Sequence, residues 1–149
     1  MPKTSKTTKT TKTAKTAKPV KTAIHTVGRR KRSIARVRLY SGKGETIVND
    51  KPILEYFKNF SEVYFFKPFN LTKTEGKYFS TVKVSGGGIK GQVDAFIHGI
   101  SRALIQVEDG KYKKILKTAG LLARDSREKE RRKPGLAQSA RAKKQSPKR

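Results

Sequence analysis

Basic residues are concentrated towards the two ends of this chain, and this arrangement limits what the chain can fold into more than any other feature. Residues 1–44 contain 14 Lys and Arg and no acidic residue, residues 45–110 contain 8 basic and 8 acidic residues, and residues 111–149 contain 15 basic and 3 acidic residues. Together these segments give a net charge of +26. A cationic excess of this size attracts polyanions and repels itself when compact. The sequence therefore predicts a small folded body with basic arms that neutralise phosphates.

A low-complexity segment precedes the predicted body. Lys occurs at every third position from 3 to 21 and Thr fills most of the gaps, so the segment cannot bury a core and its like charges repel one another. The apolar content falls again after Asp125. We therefore expect a disordered Lys/Thr-rich tail at residues 1–23, one globular domain at residues 24–125 and an extended basic tail at residues 126–149.

Two segments of the central region show the alternation of a half-buried strand. In residues 33–40 the apolar face consists of Ala35, Val37 and Leu39. The polar face consists of Arg36, Arg38 and Tyr40. Residues 78–84 form the second predicted strand, with Val82 and Val84 on its apolar face. A turn at residues 41–44 predicts that the first strand forms a hairpin with a returning strand at residues 46–49.

Two stretches have the apolar spacing of a helix. The clearer one is at residues 91–107, where Asp94 is expected in the first turn and suits the helix dipole. The other is at residues 112–124, where Gly120 weakens helix continuity. Together with the strands, these helices predict a small α+β domain.

A shorter helix is predicted near Pro52. Asn49 and Asp50 are expected to cap it, and apolar residues follow at helical spacing: Ile53, Leu54, Phe57 and Phe60. The aromatic-rich residues 60–71 are not assigned, although Pro68 argues against a central strand there.

The residues needed for catalysis or metal binding are scarce. The chain has no cysteine and only two histidines, His25 and His98, so we expect neither an enzyme nor a metal or other cofactor. His98 shares a predicted helix face with Asp94 and Arg102 at spacings of four residues, and a polar stripe facing solvent or RNA is a better interpretation than a catalytic dyad. No apolar run approaches the roughly 20 residues of a membrane span, so we expect a soluble, cytoplasmic protein with no membrane partner.

A glycine cluster at residues 86–91 precedes the clearer helix. It could hold a phosphate at the helix N-terminus, but Gln92 stands where a Walker loop requires Ser or Thr after Lys. Residues 88–91 also fit the GxxG loop of KH domains, which joins two helices and not a strand and a helix. We favour a tight strand-to-helix turn whose backbone contacts an RNA phosphate.

The block at residues 28–32, with the sequence GRRKR, is more specific. It supplies four cations just before a strand whose polar face continues with Arg36 and Arg38, and no acidic residue offsets them. Arginine binds phosphate oxygens in two places through its planar guanidinium group, so we expect this block to bind phosphates. The C-terminal basic residues are expected to form an arm that becomes ordered within folded nucleic acid.

Several motifs in this order resemble a known family. They are GRRK from Gly28 with residues 33–37, ILEYF from Ile53, SGGGI from Ser85, GQ from Gly91, HGISRAL from His98, AGLL from Ala119 with Arg124 and Asp125, and the final Lys148 and Arg149. Over residues 27–149 the chain is similar to the universal small-subunit ribosomal protein nine family, in its bacterial form. The chain has Ile97 where the family commonly has Arg, and Pro147 lies within a C-terminal motif that usually contains an aromatic residue.

The resemblance implies a two-layer sandwich of a small mixed sheet with helices packed on it, including a left-handed crossover. It also implies a structural role in the head of the small ribosomal subunit, with ribosomal RNA (rRNA), neighbouring ribosomal proteins and the peptidyl-site tRNA as partners. The C-terminal tail would extend to the tRNA anticodon stem, where Ser146, Lys148 and Arg149 are the expected contacts. The expected rRNA-binding residues are Arg29, Arg30, Lys31, Arg32, Arg36, Arg38, Lys90, His98, Arg102, Arg124, Arg127, Arg131, Arg132 and Lys133.

Two alternatives remain open. A free basic protein that binds or compacts nucleic acid would also explain the net charge and the Lys/Thr repeat, but not the ordered motifs. An enzyme that uses the glycine cluster to bind a nucleotide is the third hypothesis, and saturable ATP binding would favour it.

Overall fold

The computed structural model describes residues 23–108, 110–136 and 139–142. Nearly all of the predicted N-terminal tail, and the expected tRNA contacts Ser146, Lys148 and Arg149, lie outside these residues. No helix among the described residues has both the length and the apolar content to cross a membrane.

Five strands and five helices make up the described fold. The strands form one mixed sheet in the order β1-β2-β5-β3-β4, in which β3 and β5 are parallel and the other neighbours are antiparallel. The predicted α+β class is confirmed. The elements are β1 (Ile24–Arg30), β2 (Ser33–Ser41), β3 (Ile47–Val48), β4 (Lys51–Pro52), α1 (Ile53–Tyr56), α2 (Glu62–Phe65), α3 (Lys67–Thr72), β5 (Tyr78–Ser85), α4 (Ile89–Val107) and α5 (Lys113–Thr118).

The core lies between one face of the sheet and α4. The predicted alternation of β2 is confirmed, because Ala35, Val37 and Leu39 are buried while Arg36 and Arg38 are exposed. The apolar stripe of α4 packs on this face through residues that include Val93, Phe96, Ile100 and Leu104. Removing these side chains from water is the main stabilising contribution to such a two-layer fold.

Two glycines allow β1 to lie directly against α4. A Cβ atom at Gly28 would be 1.9 Å from the carbonyl oxygen of Ala95 and 2.4 Å from the amide nitrogen of Gly99. At the same contact the Thr26 hydroxyl donates a hydrogen bond of 2.8 Å to the carbonyl of Gly99. The first residue of the GRRKR block therefore sets the distance between sheet and helix.

The predicted hairpin between residues 33–40 and 46–49 is wrong. β2 pairs with β1 and β5, whereas β3 pairs with β4 and, in parallel, with β5. Alternation identifies a half-buried strand but carries no information about its partner, and the partners of β2 lie on both sides of it in the sheet.

The predicted cap at Asn49 and Asp50 is also wrong. Both residues have left-handed backbone angles, with φ of 47° and 65°, and they form the two-residue turn between β3 and β4. Asn49 instead donates from Nδ2 to the carbonyl of Val84 and accepts the N–H of Val84 at Oδ1, at 2.9 and 2.8 Å. The N-cap of α1 is Pro52, which provides no side-chain hydrogen bond.

The helix boundaries differ from the predictions. α4 begins two residues earlier than expected, at Ile89, so Asp94 lies in its second turn and not in its first. α5 ends at Thr118, well before the predicted residue 124, and Gly120 follows with a left-handed φ of 72°. Glycine at this position ends helices readily because it has no Cβ to clash, which agrees with the predicted weakness there.

Candidate nucleic-acid interface

In the part of the chain that the structure describes, no helix packs on the face of the sheet opposite α4, and this face is rich in cations. Alternation brings the outward side chains of β1, β2 and β5 into rows across the strands. We call this surface the open sheet face; its rows are His25–Arg38–Thr81, Val27–Arg36–Lys83 and Arg29–Ile34–Ser85, and Tyr40 pairs with Phe79 at one end.

The open sheet face has an unbalanced charge. Arg29, Arg36, Arg38 and Lys83 are exposed, and the rows contain no Asp or Glu. None of these four cations belongs to an ion pair within the described residues. Like charges on directly opposed residues, such as Arg36 and Lys83, destabilise a sheet when nothing neutralises them. This arrangement is therefore suited to an anionic partner.

Aromatic rings lie at one end of the same surface. Tyr40 and Phe79 are stacked, with ring centroids 5.1 Å apart and an interplanar angle of 17°. Cations beside aromatic rings on an open sheet are typical of surfaces that bind RNA. Lys83, His25 and Phe79 were not among the predicted site residues, although burial of Val82 and Val84 implies that Lys83 points outward.

Arg30 points to the other side of β1 and is mostly buried, with 13% of its side chain exposed. Its guanidinium lies 3.0 Å from the Asp125 carboxylate and 3.6 Å from that of Asp94, and Nη1 donates to the carbonyl of Arg127 at 2.6 Å. Hydrogen bonds from Arg127, together with Arg30, hold the pKa of Asp125 far below its usual range. Arg30 thus joins β1, α4 and the segment after α5.

A second basic region is a cleft of about 370 Å³ beside this contact. It brings together five of the predicted RNA-binding residues, and it adds Lys67, which the sequence did not indicate. At its wall the Tyr64 hydroxyl donates to Asp94 at 2.6 Å, and this hydrogen bond raises the pKa of Tyr64 to about 12. The five predicted residues in its lining are Arg29, Arg30, Lys90, His98 and Arg127.

The polar stripe on α4 faces β1 and fixes this strand. His98 accepts the backbone N–H of Arg29 at Nδ1, at 3.2 Å, and Arg102 donates to the carbonyl of Val27 at 2.5 Å. Burial lowers the pKa of His98 below the ordinary value of 6.5. His98 is therefore neutral at pH 7, as its role as a hydrogen-bond acceptor requires. Asp94 and His98 bind different partners, a geometry that offers no support for a catalytic dyad.

The glycine cluster forms the tight strand-to-helix turn that was predicted. Gly86 and Gly87 have φ of 73° and 62°, and the carbonyl of Gly86 accepts a hydrogen bond from Ser33 at 3.1 Å. The exposed Lys31 and Arg32 line a shallow cavity with this turn, and Lys90 also contributes to it.

The remaining predicted RNA-binding residues follow α5. Arg124 and residues 131–133 are exposed and do not line the cleft. Further along, Arg141 forms an ion pair with Glu130. Within the described residues, no cluster of three or more His, Asp or Glu could hold a metal ion.

A family model and a curated relative both match this chain. A family model described as ribosomal protein S9/S16 matches residues 28–149. The small ribosomal subunit protein uS9 of Maridesulfovibrio salexigens is 49% identical over 112 residues, which cover 74% of this chain and 85% of that protein. The family match therefore includes the GRRKR block, the four exposed cations of the open sheet face and the segment after α5.

Proposed function

The chain belongs to the ribosomal protein S9/S16 family and is a non-enzymatic structural component of the small ribosomal subunit, and on this premise we propose that its open sheet face binds rRNA in the head of the subunit. The observation that carries this proposal is the set of four exposed cations, Arg29, Arg36, Arg38 and Lys83, on a face without acidic residues. Contacts between such cations and phosphates release counterions and so favour association. The cations also offset the repulsion between RNA helices that pack near one another.

The predicted rRNA-binding residues divide into two groups by exposure. Arg29, Lys31 and Arg32 are exposed beside the cleft or the glycine turn and are free to meet phosphates. Arg30 and His98 are half-buried or more and bind other parts of the chain. We infer that the second group supports rRNA binding chiefly by fixing β1 and the segment after α5, so that the exposed group is held in place.

The C-terminal residues are assigned a separate partner. We propose that the tail from residue 126 extends from the 24–125 body towards the peptidyl-site tRNA, where Ser146, Lys148 and Arg149 contact the anticodon stem. Family membership supports this assignment. It also supports two further proposals, that the fold contains a left-handed crossover and that neighbouring ribosomal proteins are partners. The Lys/Thr tail at residues 1–23 lies outside the family match, and we propose that it is added to the domain.

The rRNA proposal is tested by the salt dependence of binding. Arg36→Ala, Arg38→Ala and Lys83→Ala together remove three phosphate contacts, which reduces the slope of log K against log salt concentration by about 2–3. A matched control removes three exposed lysines on the helix side: Lys58→Ala, Lys113→Ala and Lys114→Ala. Binding to an rRNA fragment of the subunit head is measured by filter retention for both variants. Equal slopes for the two variants would contradict the proposal.

Two further comparisons separate the alternatives. Equal affinity of the unmodified chain for the rRNA fragment and for unrelated duplex DNA would favour the free nucleic-acid-compacting protein. Deletion of residues 143–149 is expected to leave subunit assembly intact and to weaken peptidyl-site tRNA binding, measured as tRNA retention on purified subunits. Unchanged retention would contradict the proposed tRNA contact.

A further inference from the structure

A groove that shares no lining residue with the basic cleft has the opposite charge. It has a volume of about 410 Å³ and lies between the segment before β3, the short helices α1 to α3 and the segment before β5. Its apolar floor includes Ile53, Phe66 and Phe69, and its rim carries Glu45, Glu62 and Glu75. We call it the acidic groove.

The charge of the acidic groove is unusual for this chain. Among the residues that the structure describes, three glutamates line it and no Lys, Arg or His does, although the net charge of the chain is +26. Within the described residues, none of the three carboxylates belongs to an ion pair. RNA phosphates are repelled from such a rim, so the charge favours a cationic occupant.

The groove also exposes apolar surface. Leu54 in its lining is 47% exposed, and Val63, which follows the rim residue Glu62, is 70% exposed. A contiguous apolar patch with a polar rim, such as the floor of this groove with Leu54, is typical of sites of protein association. An occupant must therefore supply apolar side chains for the floor as well as cations for the rim.

We propose that the acidic groove binds an extended Lys- or Arg-rich segment of another protein, one that also carries apolar side chains. Opposite charges at the rim steer and orient the segment, while its apolar side chains cover Leu54 and the floor. The chain's own residues 1–22 supply seven lysines, which could pair with the glutamates of the rim. They have very few large apolar side chains, and Val20 is the only branched apolar one, so they could not cover the apolar floor. The proposal does not depend on RNA binding.

The proposal is tested with the full chain in RNA-free buffer and two synthetic peptides. One peptide alternates Lys and Leu over 12 residues, and the other alternates Lys and Thr. Fluorescence anisotropy is expected to show saturable binding of the Lys/Leu peptide and at least fivefold weaker binding of the Lys/Thr peptide. Equal affinities would overturn the apolar part of the argument, and no binding of either peptide would overturn the whole.

Charge-neutralising variants locate the binding site. The combination Glu45→Gln, Glu62→Gln and Glu75→Gln is expected to weaken binding of the Lys/Leu peptide by about tenfold, since three exposed ion pairs are lost. The matched control removes three carboxylates outside the groove, by Asp50→Asn, Glu55→Gln and Glu128→Gln, and is expected to stay within twofold of the unmodified chain. Equal losses in the two variants would place the peptide elsewhere and overturn the proposal.

Zero-length carbodiimide cross-linking of the full chain alone tests whether the chain's own N-terminal segment occupies the groove. Cross-links from lysines 3–21 concentrated on Glu45, Glu62 and Glu75 would show that the N-terminal segment fills the groove and would overturn the proposal. Cross-links spread over the exposed carboxylates without preference would support an occupant from outside the chain. Neither result depends on the rRNA measurements, so the two proposals can fail separately.

Discussion

Gly28→Ala is expected to damage the fold more than its small size suggests. The added methyl group would lie 1.9 Å from the carbonyl oxygen of Ala95, whereas ordinary contacts of a Cβ atom begin near 3.4 Å. The obstacle is the backbone of α4, so rotation of a side chain cannot relieve it. Either β1 or α4 must move by roughly 1.5 Å, and this movement would also stretch the hydrogen bond from Thr26 to Gly99.

The expected cost follows from these two effects. Overpacking a well-packed core typically costs about 1–3 kcal/mol, and the upper part of this range applies because the helix must move as a unit. Weakening a buried hydrogen bond adds about 1 kcal/mol. We therefore expect Gly28→Ala to lower the free energy of unfolding by about 3 kcal/mol, which is a large fraction of the stability of a small domain.

Urea unfolding of the full chain, followed by far-UV circular dichroism in moderate salt, measures this loss. Gly88→Ala is the matched control, because a Cβ there meets nothing within 4 Å and the φ of −106° suits any residue. Alanine is a poorer N-cap than glycine, so the control is expected to lose some stability, but less than about 1 kcal/mol. If Gly28→Ala costs no more than Gly88→Ala, the close contact between β1 and α4 does not limit stability and the reasoning is refuted.

Three further predictions concern polar groups. His98 becomes protonated near pH 6.5 in the unfolded chain and only at lower pH in the folded chain. The free energy of unfolding should therefore fall as the pH drops below about 6.5. A ring-proton NMR titration of folded His98 with a midpoint at or above 6.5 would contradict this. Asp50→Gly should stabilise the fold by up to about 1 kcal/mol, measured by urea unfolding, because glycine adopts the left-handed conformation of this turn without strain. Asp125→Asn should increase proteolytic cleavage after Arg124 and leave the melting temperature of the core nearly unchanged, since it weakens the bonds to Arg30 and Arg127; an unaltered cleavage rate would count against this role.

The sequence predicted the elements whose pattern is local. The alternation in residues 33–40 identified β2 and its buried face because a strand between a core and an open surface must alternate. The stripe of α4 was predicted for the same reason, since a helix packed on one sheet buries one face. The fold class followed from these two elements, and the outward position of Arg36 and Arg38 followed from the alternation of β2.

Features that depend on distant partners could not be predicted in this way. The parallel pairing of β3 with β5 joins residues more than 30 positions apart, with α1 to α3 between them in the chain. Asn49 has the side chain of a good helix cap, and only the neighbouring β5 determines that it binds Val84 instead. The acidic groove was missed because its three glutamates are far apart in the sequence.

The GRRKR block shows how one local fact changes a functional interpretation. The block looks like four equivalent cations, but residues up to Arg30 belong to β1, so Arg29 and Arg30 must point to opposite faces. Arg29 belongs to the open sheet face, whereas Arg30 binds Asp125 and the carbonyl of Arg127. Replacing the whole block would therefore remove the proposed phosphate contacts and release the segment after α5 at the same time. Only separate substitutions, Arg29→Ala for binding and Arg30→Ala for the attachment of that segment, can distinguish the role of each charge.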